Sequence, residues 1–165
     1  MLGFGTVLSA LENAHARYVV VGGLAVILHG HLRGTADIDL VIELSPENCR
    51  RALDALAGAG LKPRLPVDML QFADPEIRRD WVEKRNMLVF QLWDPDVPGR
   101  SVDVFVREPF GFEELWAKSV LREVQGVPAR IASIEHLVAM KRSAGRHRDL
   151  DDIAALEQIE RGNRE

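Results

Sequence analysis

Two aspartates one residue apart, Asp37 and Asp39, stand in the otherwise apolar stretch "DIDLVIE", and a third, Asp103, has the same setting in "VDVFV". In a strand, alternate residues share a face, so Asp37 and Asp39 point one way while Ile38 and Leu40 point the other. Like charges side by side are tolerated when water reaches them, when one is protonated, or when a cation lies between them. Three carboxylates from two strands meeting at one edge would make an all-oxygen site suited to Mg²⁺ or Mn²⁺. The plainer alternative is a wet strand surface with Asp103 unrelated, and a D-x-D pattern alone leaves both open. Upstream, Gly22 and Gly23 end a strand and open a helix, leaving backbone N–H groups where an anion can dock. Without a Cβ there, a phosphate can approach closely. A phosphate cradle beside a divalent-cation site is a nucleoside-triphosphate site in outline.

The elements that position these residues are legible in part. The spacing of Val7, Leu8, Leu11 and Ala14 predicts an amphipathic helix over 7–17. "YVVVGG" (18–23) reads as a buried strand stopped by glycines, 24–30 as a short helix ending at Gly30, and 36–44 as a strand. Residues 45–60 carry the clearest helix signal: Ser45 as N-cap, Pro46 first in the helix, Glu47 in the first turn and glycines at the close. Residues 61–98 are harder to place, apart from a strand over 86–94 paired with 100–106 across "DPDVPG". A helix over 112–119, a hairpin or extended piece over 122–132, and two helices over 133–144 and 149–161 follow. Ser133 and Asp149 are the expected N-caps of the last two. The expectation is one α+β (α/β) domain spanning 1–165. A mixed sheet flanked by helices fills about 1–110, and a mostly helical part follows from about 111 to 165.

Composition bounds the function. With 165 residues and 47% hydrophobic content the chain is long enough for a single core. Its longest apolar run, 19–28, is interrupted by two glycines and is far shorter than the roughly 20 residues of a membrane span, so no membrane partner is expected. No basic segment precedes the first apolar residues, and the lone Cys49 fits a reducing cytoplasm. A net charge of −4 argues against broad nucleic-acid binding, although "KRSAGRHR" (141–148) could meet a small polyanion.

"VGG", thirteen residues, then "DIDL" resembles the signature of the DNA polymerase β-like nucleotidyltransferase superfamily. "GGLAVILHGHLRGTADIDL" is similar to its small bacterial members, the AbiEii-type toxin nucleotidyltransferases and the minimal nucleotidyltransferases. "SIEHLVAMKRSAGRHRDLDDIAAL" is similar to the helical segment that follows their catalytic core. The likeness touches 18–44, 100–106 and 133–156, in the order these proteins have. It implies that Asp37 and Asp39 ligate two Mg²⁺ (or Mn²⁺) ions and that Asp103 is the third ligand, near the acceptor hydroxyl. It also implies that Gly22 and Gly23 contact the triphosphate, that Arg33 and Thr35 of "RGT" lie close to the phosphates or shape that loop, and that Lys141 and Arg146 approach the nucleotide.

The activity so implied is transfer of a nucleoside monophosphate from an NTP, the substrate, to a hydroxyl. A protein target or partner, as in toxin–antitoxin systems, is favoured as acceptor over RNA or a small molecule. The competing function is a nucleotidyltransferase fold kept as a non-catalytic binding module, an antitoxin or regulatory subunit. Other residues invite functional roles less: His29 reads as a helix-end histidine bonded to backbone. Arg148, Asp149 and Asp152 read as caps and salt bridges, and Trp81, Trp93 and Trp116 as core or rim residues.

Overall fold

The computed structural model describes residues 3–165. In chain order its elements are α1 (Phe4–Asn13), β1 (Tyr18–Val21), α2 (Gly22–Leu28), β2 (Asp37–Ile42), α3 (Pro46–Gly58) and β3 (Lys62–Pro63). A 3₁₀ turn (Met69–Ala73), α4 (Pro75–Arg85), β4 (Val89–Trp93), β5 (Ser101–Phe105) and α5 (Phe112–Lys118) come next. The hairpin β6 (Val120–Val124) and β7 (Val127–Ile131), then α6 (Ile134–Ala144) and α7 (His147–Arg164), complete the chain. The strands form one seven-stranded mixed sheet in the order β3-β4-β5-β2-β1-β7-β6. The sheet therefore runs past residue 111, because β7 pairs in parallel with β1 and brings β6 with it.

Alternation decides which side of the sheet is buried. On β2, β5 and β4 the residues Ile38, Leu40, Val102, Val104, Phe90 and Leu92 are fully buried. Phe90 packs against Phe72 and Trp81 of the 3₁₀ turn and α4, with ring centroids 5.5 and 5.2 Å apart. Their strand neighbours Asp37, Asp39, Asp103, Phe105, Val89, Gln91 and Trp93 are only half-buried on the opposite face. That half-open face carries the carboxylates.

Several boundaries follow the local chemistry. Ser45 caps α3, its Oγ accepting from the Asn48 N–H at 3.2 Å, and Pro46 opens the helix. Ser133 caps α6 in the same way. Asp149 does not cap α7: the helix begins at His147, with Arg146 as N-cap and Asp149 at the third position, accepting from the Arg146 N–H at 3.1 Å. The strand expected over 18–23 stops at Val21, because Gly22 turns the chain at φ +68° straight into α2. No described helix is long and apolar enough to cross a membrane.

Candidate active site

β2 and β5 run parallel with Asp39 opposite Asp103, so the two carboxylates are lateral neighbours, and Asp37 lies two residues before Asp39 on the same face. On the other side of β2, Val21 is the register partner of Asp39. The chain turns there, and Gly22 comes down onto the aspartate. A Cβ on Gly22 would stand 2.1 Å from Asp39 Oδ2 and 2.7 Å from its Cγ. Glycine is thus required twice, for the positive φ and for the space. At Gly23 a Cβ would meet Thr35 Oγ1 at 2.9 Å, so the loop before β2 folds back onto the glycine pair. Thr35 holds that loop by donating to the Asp37 carbonyl at 3.3 Å.

The C-terminal helices close the opposite wall through a chain of ion pairs. Lys141, buried on α6, puts Nζ 2.7 Å from Asp152 Oδ2 and 3.5 Å from Asp149 Oδ1. Asp152 also takes the Arg33 guanidinium, which ties the 29–36 loop to α7. Arg146 Nε lies 2.9 Å from Asp149 Oδ2, with the rest of its side chain largely exposed. Burial pushes Asp149 up, but the Arg146 side-chain and backbone bonds outweigh it and hold this carboxyl below its ordinary range. Asp152 is almost wholly buried between two cations, so Asp152→Ala leaves Lys141 and Arg33 without their shared counter-ion. Loss of one partner of a buried pair costs about 3 kcal/mol or more, and we expect a thermal melt to show a fall of roughly 6–12 °C for a chain of this size.

Electrostatics mark the carboxylates. Burial, then the charges of Asp103 and Asp37, push Asp39 up to about 6, against the pull of Lys141 and Arg146. Burial and Asp37 also raise Asp103, opposed by the Gln91 side chain and Arg64. One oxygen of Asp103, Oδ1, is buried with no hydrogen-bond partner. Among the described residues no group of three His, Cys, Asp or Glu side chains is arranged to hold a metal ion by itself. Mg²⁺ commonly takes one or two carboxylates and completes its shell with water and substrate phosphates. An all-oxygen donor set, an orphaned carboxylate oxygen and repelling charges fit such an ion, with the remaining positions left to a substrate.

All nine residues singled out in the sequence line one cleft of about 1430 Å³: Gly22, Gly23, Arg33, Thr35, Asp37, Asp39, Asp103, Lys141 and Arg146. Its far end is formed by residues the sequence did not mark, including Leu88, Phe105, Glu108, Phe110 and Met140. His29 lies outside the cleft lining. Its Nε2 donates to the Ala132 carbonyl at 2.8 Å, and burial lowers its pKa.

A mixed sheet with paired aspartates on its central strand, a glycine turn against them and helices closing the cleft is the architecture of nucleotidyltransferases. Over residues 6–163 the chain matches the family described as "nucleotidyltransferase of unknown function (DUF6036)", and it belongs to that family. Solved structures agree on the fold. The lincomycin-bound lincosamide antibiotic adenylyltransferase LnuA superposes with a TM-score of 0.63 at 16% identity, over 95% of this chain and 96% of that one. The antibiotic-resistance factor ANT(2'')-Ia gives 0.60 at 13% identity, over 96% and 85%. A nucleotidyltransferase-like protein of Thermotoga maritima, TM1012, gives 0.56 at 14% identity, over 90% and 86%. No curated protein sequence matches the chain significantly.

Proposed function

We propose that this protein transfers a nucleoside monophosphate from an NTP to a hydroxyl acceptor and depends on Mg²⁺ or Mn²⁺ to do so. The observation that carries this reading is the Asp39–Asp103 pair, in register on adjacent parallel strands, with the Gly22 backbone seated against Asp39. Carboxylates of Asp37, Asp39 and Asp103, one or two to an ion, would hold the metal, with water and the substrate phosphates completing its shell; its chemistry is to offset the triphosphate charge and make the acceptor hydroxyl more acidic. The Gly22–Gly23 backbone would receive the triphosphate, with Thr35 keeping the loop beside it. Lys141 and Arg146 would place positive charge on its other side, where charge develops on the leaving pyrophosphate. Asp103, one strand further from the glycines, would face the entering hydroxyl.

As acceptor we favour a small molecule. Two of the similar structures, a lincosamide antibiotic adenylyltransferase and an antibiotic-resistance factor, align over nearly this whole chain. An AbiEii-type affiliation and a toxin–antitoxin role rest on the motif resemblance alone.

Binding tests the donor half of this reading. A ligand that binds only the folded state raises its melting temperature by mass action. Mg²⁺ with at least one NTP should therefore raise the melting temperature. The rise should grow from pH 5 to pH 8, because Asp39 with its pKa near 6 must lose its proton to accept the cation. No rise with any NTP at pH 8 would favour the non-catalytic binding module instead.

A further inference from the structure

In-line displacement at phosphorus sets the entering oxygen opposite the leaving pyrophosphate. If the triphosphate lies on the Gly22–Gly23 turn, at the β1 side of the aspartates, the acceptor must arrive from the other side, over β5, β4 and β3. The register shows what it meets there. Asp39 is opposite Asp103, Asp103 is opposite Gln91, and Arg64, just past β3, donates its backbone N–H to the Gln91 carbonyl at 3.0 Å. Residues level with one another across a sheet share a face. The next row back pairs Trp93 with Lys62. The half-open face therefore continues from the carboxylates, beyond the residues that line the cleft, as a shelf of Gln91, Trp93, Arg64 and Lys62.

Arg64 is the informative member. Its guanidinium carbon sits over the Trp93 ring, 5.1 Å from the ring centre, a cation–π contact that holds the charge on the sheet face. The side chain is exposed and has no ion pair among the described residues. A positive charge on an edge strand also discourages strand-to-strand association. That accounts for Lys62, but it does not call for a guanidinium laid on an aromatic ring level with the carboxylates. A planar fork held in this way matches a phosphate or carboxylate. A cationic acceptor would be repelled, and the chain's net charge of −4 disfavours a long polyanion.

We propose that Gln91, Trp93 and Arg64 form the acceptor shelf, and that the acceptor is a small hydroxyl compound bearing a phosphate or carboxylate. Its hydroxyl lies over Asp103, and its anionic group lies up to two strand spacings away, roughly 10 Å. This assignment rests on the nucleotidyltransferase reading above.

The test begins with the full chain, Mg²⁺ and α,β-non-hydrolysable analogues of the four NTPs, each followed by NMR. Failure of every analogue to bind overturns the donor reading, and the shelf falls with it. Once an analogue is bound, glycerol 3-phosphate, ribose 5-phosphate and glycerate are titrated against glycerol, ribose and a short oligoribonucleotide. The Trp93 indole and Arg64 side-chain signals should move with at least one small anion, binding at least about tenfold more tightly than its neutral counterpart. Arg64→Glu should remove that preference while the affinity for the analogue stays within about twofold. The shelf is wrong if no probe moves these signals, if neutral probes bind as well as anionic ones, if only the oligonucleotide responds, or if the preference survives Arg64→Glu.

Discussion

Asp39→Asn is expected to lower nucleotide transfer by about 10³-fold or more and at the same time to make the metal-free protein more stable at pH 8. The two effects share one cause. Asp39 is held beside Asp103 and near Asp37 in a half-buried position, and its pKa rises from 3.8 to about 6. Each pKa unit is worth about 1.4 kcal/mol, so ionising this carboxyl in the folded state costs on the order of 3 kcal/mol. The folded-state pKa lies above the unfolded one, so the protonated group's contribution is fully present below about pH 4 and is lost as pH rises through 6. An uncharged asparagine of the same shape removes that loss. Melts from pH 4 to pH 8 without divalent ions should show the wild type falling relative to Asp39→Asn by roughly 6–12 °C. A variant less stable than wild type at pH 8 would mean that Asp39 is a structural anion with a partner of its own.

Gly22→Ala has the largest expected effect on the fold. The added methyl must fit at φ +68°, where a non-glycine residue costs about 1–2 kcal/mol, and it would stand 2.1 Å from Asp39 Oδ2. Relief requires the Asp39 carboxyl to swing away from its place beside Asp103, and its Cβ, 3.0 Å from the added methyl, to give as well, so stability and transfer should fall together. We expect the melting temperature to drop by about 8 °C or more and transfer to fall by at least about 10²-fold. Gly23→Ala is the control: its Cβ meets the Thr35 hydroxyl at 2.9 Å, a group that can rotate away. Its loss of stability should be less than half as large. Equal tolerance at the two positions would contradict the seating of Gly22 against Asp39.

The glycine-turn side of the cleft was legible in the sequence because its determinants are local. Gly22–Gly23, Arg33–Thr35 and Asp37–Asp39 lie within 22–39, and Lys141 and Arg146 lie on one short segment. The pairing of Asp39 with Asp103 was anticipated as convergence, but its parallel register depends on sheet order, which no local pattern carries. The miss over 61–85 has a different origin. α4, "PEIRRDWVEKR", buries only Arg78 and Trp81, so it shows little apolar periodicity. A start signal was nevertheless present: Asp74-Pro75-Glu76 repeats the cap, proline and acidic order of Ser45-Pro46-Glu47, and Asp74 does cap the helix. β3 is two residues long and carries no local pattern, so nothing in the sequence singles out Arg64. Asp149 was misplaced as an N-cap because His147 and Arg148 read as loop, whereas the carboxylate reaches back to the Arg146 N–H.

In the proposed reaction this cleft moves a nucleoside monophosphate rather than a phosphoryl group. Parallel incubations of the full chain with Mg²⁺, a host lysate and NTPs labelled at either the α- or the γ-phosphate test it directly. Monophosphate transfer attaches α-label covalently to an acceptor beyond the level in lysate alone and releases γ-label as pyrophosphate, and both should be lost in Asp39→Asn. Attachment of γ-label beyond that in lysate alone, or α-label transfer by Asp39→Asn at the wild-type rate, would rule out monophosphate transfer by this cleft.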